Sequence, residues 1–151
     1  MEDNRKVKVV NRSNSTVAYV IPEMQNLKRV FYGRQEKILT YEELRCLSSI
    51  PGGMVIITDY LIIKDPEVVK ELGLQVEPEY WYEKDQVINL MKNGSLEDFL
   101  DCLDFAPDGV LDLIKELSVS LPLTDTAKRK AIWDKLGFNV DVAVAMKEEA
   151  G

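Results

Sequence analysis

The sequence predicts an α+β chain: a small β-rich N-terminal unit, barrel- or sandwich-like with one short helix, followed by a C-terminal bundle of short helices. Three observations lead there. Short β-branched runs bounded by turn residues fill residues 5–64. From Glu83 onward, apolar residues recur at helical spacing. The 151 residues, 46% hydrophobic and 30% charged, suffice for one ordinary domain or two small ones with a buried core. The expected boundaries are a β-rich domain over 1–65, a connector over 66–82 and an acidic helical domain over 83–151.

Residues 7–12 alternate loosely, Ser13-Asn14-Ser15 is turn-like, and Thr16 to Ile21 is β-branched and aromatic. Together they read as a β-hairpin. Leu27 to Tyr32 is a third strand ended by Gly33, and Lys37-Ile38-Leu39 a short fourth. Thr40, with Glu43 three positions on, forms a capping box for a helix that buries Leu44 and Leu47 beside Cys46. Pro51-Gly52-Gly53 stops it. Met54 to Ile57 and Tyr60 to Ile63 are rich in β-branched residues and read as two strands or one bent strand.

Asp65-Pro66 caps a short helix ending at Gly73. Pro78 makes Leu74 to Tyr82 a connector rather than a central strand. Val87, Ile88 and Met91 form the first stripe of the helical half. Ser95 caps a helix with Leu96, Phe99, Leu100 and Leu103 inward. Val110, Leu111, Ile114 and Leu117 continue after Ala106-Pro107-Asp108-Gly109. Thr124 or Asp125 caps a helix containing Ala127, Ile132, Trp133 and Leu136, closed by Gly137. A last helix, about Asp141 to Glu148, is expected to bury Val142, Ala143 and Met146. None of these helices persists alone in water, so each must bury its stripe.

Composition excludes several chemistries. The chain has no histidine, which removes Ser-His-Asp and Cys-His nucleophiles and His-containing zinc sites. Two cysteines, Cys46 and Cys102, build neither a four-thiolate metal site nor a disulfide framework. Pro51-Gly52-Gly53 lacks the residues of a phosphate loop. No cofactor or metal is expected. The N-terminus shows no secretory signal and no run is long enough to span a membrane.

Charge is uneven. Residues 1–65 carry 10 Lys/Arg against 8 Asp/Glu, whereas residues 66–151 carry 9 against 18. The acidic half repels phosphate backbones and attracts basic partners. Its candidate acidic surface is Glu97, Asp98, Asp101, Asp104, Asp108 and Asp112. Tyr80-Trp81-Tyr82 is the candidate partner-binding element, since aromatics bury much area at low entropy cost. Lys28, Arg29 and Arg34 are candidate basic contacts, and Lys128-Arg129-Lys130 opens a helix where cations oppose the macrodipole.

The stretch Val10 to Pro22 resembles the opening of small proteins encoded by phages and prophages of gut Firmicutes. So do Tyr41-Glu42-Glu43-Leu44, Pro51-Gly52-Gly53, Tyr60-Leu61-Ile62-Ile63, Gly94-Ser95-Leu96 and Asp104-Phe105-Ala106-Pro107. The resemblance carries over no catalytic residue. It implies a phage-encoded virion component or assembly factor, in the host cytoplasm or the virion. The expected function is then a non-enzymatic protein–protein interaction module. Its partners would be proteins, other virion proteins or further copies of the chain, with neither membrane nor nucleic acid bound through the acidic half. The alternative is an inhibitor of a host defence nuclease that presents an acidic, DNA-like surface. A third reading is an enzyme working with carboxylates alone.

Overall fold

A computed structural model describes residues 1–150. The chain is α+β, with strands and their core in the N-terminal part and helices in the C-terminal part. It divides into two compact units, one ending at Trp81 and the next starting at Tyr82.

The first unit holds two open sheets, so no barrel closes. Strands β1 (Lys6–Asn11), β4 (Glu36–Thr40) and β5 (Leu61–Ile63) form one sheet in the order β4-β1-β5, both pairings antiparallel. Strands β2 (Val17–Ile21) and β3 (Leu27–Phe31) form the other. The hairpin expected between residues 7–12 and 16–21 does not form. β1 has Val7, Val9 and Val10 buried, so both of its edges are taken by strands that close a core. β2 alternates buried and exposed, as a strand with one wet face must.

Thr40 caps α1 (Tyr41–Ser49) by accepting from the Glu43 amide at 3.2 Å. The other half of the expected capping box is missing, because the Glu43 carboxylate turns inward (below). Pro51-Gly52 turns the chain, and residues 53–60 are helical rather than extended: α2 (Gly53–Val55) runs on as a π-helical turn, Ile56–Tyr60. Only Gly53 and Ile57 of this segment are buried, and its helical turns satisfy the backbone without a neighbouring strand. A side chain at Gly53 would place its Cβ 1.7 Å from the Leu47 carbonyl oxygen. Asp65 and Pro66 start α3 (Pro66–Glu71) as expected. Val68, Val69, Leu74 and Tyr80 of the expected connector lie in the same core as β1 and α1, so residues 66–81 belong to the first unit.

The second unit comprises α4 (Lys84–Asn93), α5 (Leu96–Phe105), α6 (Asp108–Ser120), α7 (Thr126–Leu136) and α8 (Val140–Ala150). Ser95 and Asp125 cap α5 and α7 through the amides of Asp98 and Lys128. The core gathers Val87, Met91, Phe99, Val110, Ile114 and Ile132. The last stripe is out of phase with expectation: Val140 is buried, while Val142 and Met146 are exposed. No helix among the described residues is long and apolar enough to cross a membrane.

Candidate functional site

The site is a cleft of about 280 Å³ formed by one face of α7 and the start of α8. Its position follows from how α7 divides its side chains. Lys128, Ala131 and Ile132 are buried, one helical face at spacings of three and four. Thr126, Arg129, Lys130 and Trp133 form the opposite face, and all four line the cleft.

A buried lysine fixes that division. Lys128 is 3% exposed. Its Nζ donates to the carbonyls of Leu90 at 3.3 Å, Met91 at 2.9 Å and Gly94 at 2.7 Å, and sits 5.8 Å from the Phe99 ring centroid. These carbonyls end α4, where the helix presents its negative pole; Leu90 also receives the Gly94 amide, while Met91 and Gly94 lie beyond the last internal bond. The sequence placed this cation at the wrong pole of α7. Its partner is the C-terminus of a different helix.

Gly137, at φ +66°, ends α7 in the left-handed region. The Asn139 side chain then accepts from the Val142 amide at 3.0 Å, opening α8. This short turn brings Asn139, Val140 and Asp141 against α7. Arg129 is held by the Leu123 carbonyl and by an ion pair with Asp141. Buried Val140 belongs to the lining. Trp133 stands 54% exposed, and exposed Lys130 supplies the cleft's uncompensated charge. A cleft lined mostly by polar residues, with an indole wall, Val140 and a cation, suits an apolar side chain flanked by a carboxylate.

The sequence-derived aromatic and basic candidates divide between interior and surface. Tyr80 is 1% exposed. Its hydroxyl accepts from the Ile63 amide at 3.1 Å, and its ring lies 4.9 Å from the Arg12 guanidinium carbon. Burial pushes its phenol up. Tyr80 is therefore a core residue, unavailable to a partner. Trp81 packs partly buried on the first core, edge-on to Tyr80 at 5.0 Å, and Tyr82 packs partly on the second. Arg12, unremarked in the sequence, is 2% exposed and donates to the carbonyls of Leu61 at 3.1 Å and Tyr80 at 2.5 Å.

Arg29 grips the buried Glu43 carboxylate at 2.5 and 3.0 Å, and Tyr19 donates to the same carboxylate. Burial, then the Glu43 contact, pushes the Tyr19 phenol far up. Arg34, at φ +63°, donates to the Arg12 carbonyl. Of the three basic candidates only Lys28 is exposed.

The acidic candidates are all exposed, four on α5 and two on α6. Glu97, Asp98, Asp101 and Asp108 are exposed on α5 and α6. Asp104 pairs with Lys135 at 2.7 Å, and Asp112 lies 4.0 Å from Lys115. Among the described residues, no three Cys, Asp or Glu side chains gather as metal ligands. Both thiols are buried, and burial pushes the Cys46 thiol up.

Trp133 was not singled out from sequence because it reads as one more apolar residue of an amphipathic helix. The available signal was its place in the 126-129-130-133 face, which is otherwise polar and basic. No protein-family model, curated protein or solved structure matches the chain.

Proposed function

We propose that this chain is a non-enzymatic protein–protein interaction module, a structural or assembly component of a phage particle that works in the host cytoplasm or the virion. The observation that carries the reading is the half-exposed Trp133 indole in a cleft beside Lys130. Binding hot spots favour such aromatics, set in a pocket and bordered by charge. The resemblance to phage and prophage proteins supplies the context, and virion proteins are the partners it implies.

The test is affinity purification of the full chain from infected cells, followed by mass spectrometry and co-sedimentation with intact particles. Trp133→Ala should weaken partner capture about 30-fold, the scale of a 2 kcal/mol hot spot, with an unchanged circular dichroism spectrum. Capture that survives Trp133→Ala, or a chain that never accompanies particles or their precursors, would overturn the reading. The acidic-surface alternative draws on exposed Glu97, Asp98, Asp101 and Asp108. Recovery of a host nuclease, lost when these become Gln or Asn, would put that alternative in its place.

A further inference from the structure

The two outer edges of the β4-β1-β5 sheet are treated differently. In β5 the groups of Leu61 and Ile63 point away from β1, because Lys64 and Arg12 donate their amides back to Lys8 and Tyr60 across the ladder. Both outward positions are met by side chains. The Leu61 carbonyl accepts from Arg12, and the Ile63 amide donates to the Tyr80 hydroxyl. With the Leu61 amide bonded to the Ile56 carbonyl, three of the four outward groups on that edge are occupied.

The β4 edge is not sealed in this way. The bonds from Asn11 to Gln35 and from Tyr41 to Arg5, both 2.9 Å, set the ladder phase. Lys37 and Leu39 therefore face β1, while the amide and carbonyl of Ile38 face outward. Among the described residues, no strand pairs with β4 on that side. Ile38 is also 61% exposed. Lys8 lies directly opposite it in β1, with Lys6 opposite Thr40. Lys64 lies beyond Lys8 and is paired with Glu36 at 2.9 Å. This outer face is thus basic around one apolar side chain.

We propose that the β4 edge is a second docking surface, distinct from the Trp133 cleft, which takes an extended acidic segment of a partner protein as an added strand. Backbone groups of Ile38 supply the ladder bonds, and alternate carboxylates meet Lys6 and Lys8. Charge selects this occupant. Lys6 and Lys8 stand on β1, one strand in from the edge, and outnumber Glu36 of β4, which Lys64 already neutralises; a second copy brings the same surplus of lysines and is repelled. The same charges attract a strand of opposite sign.

The experiment uses the full chain and two synthetic ten-residue peptides, one alternating Asp and Val, the other Lys and Val. In the free chain the Ile38 amide should exchange with deuterium faster than the Leu39 amide, which is bonded into the ladder. The Asp-Val peptide should slow Ile38 exchange, and the Lys-Val peptide should leave it unchanged. Lys6→Glu with Lys8→Glu, both exposed positions, should weaken Asp-Val binding about tenfold. Trp133→Ala should not affect it, so failure here and failure of the Trp133 reading are separable. The proposal is overturned by an Ile38 amide that saturating Asp-Val peptide does not slow, by binding indifferent to the double charge reversal, or by sedimentation showing dimers joined through β4.

Discussion

Replacing Lys128 with Met tests whether a buried cation organises the helical unit. Met keeps the length and most of the volume but has no donor. The Leu90 carbonyl still receives the Gly94 amide at 3.0 Å. The Met91 carbonyl is buried and loses its 2.9 Å donor, which costs roughly 2–3 kcal/mol. The Gly94 residue is half-buried, so water replaces the donor at a cost of roughly 0.5–1 kcal/mol. Removing a positive charge from the end of α4 costs about 0.5–1 kcal/mol more. Burying an apolar side chain in place of an ammonium returns about 1–2 kcal/mol. The net loss is about 2–3 kcal/mol. A 70-residue unit has a urea slope of about 1 kcal/mol/M, so the midpoint should fall by about 2–3 M. The chain has two tryptophans, Trp81 in the first unit and Trp133 in the second. Urea titration followed by Trp133 fluorescence, in a Trp81→Phe background, reads the second unit alone. A loss below about 1 kcal/mol, or a gain, would refute the idea that these carbonyls depend on Lys128.

Glu43→Ala should destabilise the first unit by about 3 kcal/mol, because it strands the Arg29 guanidinium and the Tyr19 hydroxyl together; urea unfolding read by Trp81 checks this. Folding raises the Tyr19 and Tyr80 phenols above the ordinary value of 10.0, so the native state holds those protons more tightly. Their contribution is complete below about pH 10 and lost as pH rises past it. An alkaline titration at 295 nm should leave two of the six tyrosines neutral until the chain unfolds. Gly53→Ala should cost more than about 3 kcal/mol, since backbone cannot yield to a 1.7 Å approach. Gly52→Ala meets nothing within 4 Å and strains only a φ of +78°, about 1 kcal/mol. Thermal melts of the pair separate the two effects.

Local signals in the sequence were largely sound. Thr40, Asp65-Pro66, Ser95 and Asp125 begin helices because a cap depends on residues three or four apart. Alternation in Val17–Ile21 marks a strand for the same reason. What escaped was pairing. Nothing in residues 7–12 says that β1 prefers Glu36–Thr40 and Leu61–Ile63 to the adjacent β2. The run Met54 to Ile57 shows the limit of composition: its β-branched content fits a strand, yet it is helical where it has no ladder to join. In α8, a pattern of alternating Val and Ala fits more than one phase, and only the turn at Gly137 decides that Val140 goes inward.

Arg12, Arg34, Lys128 and Arg129 turn inward for one connected reason. The strands and helices here are short, so a large share of their carbonyls lies at ends, outside any regular ladder. Long cationic side chains take up these ends. Arg12 serves Leu61 and Tyr80, Arg34 serves Arg12, Lys128 serves α4, and Arg129 serves Leu123. Each contact spans from 6 to 68 residues in sequence, so no local pattern distinguishes such a cation from one aimed at a ligand. Subtracting them changes the picture of the surface. Lys6, Lys8, Lys28 and Lys70 are among the exposed cations that remain on the first unit, and Lys130 remains in the cleft of the second. Lys6 and Lys8 flank exposed Ile38 and its neighbours, and Lys130 flanks Trp133. Acid beside an apolar side chain is therefore the chemistry that the two proposed surfaces would ask of a partner, even though the chain as a whole carries a net charge of −7.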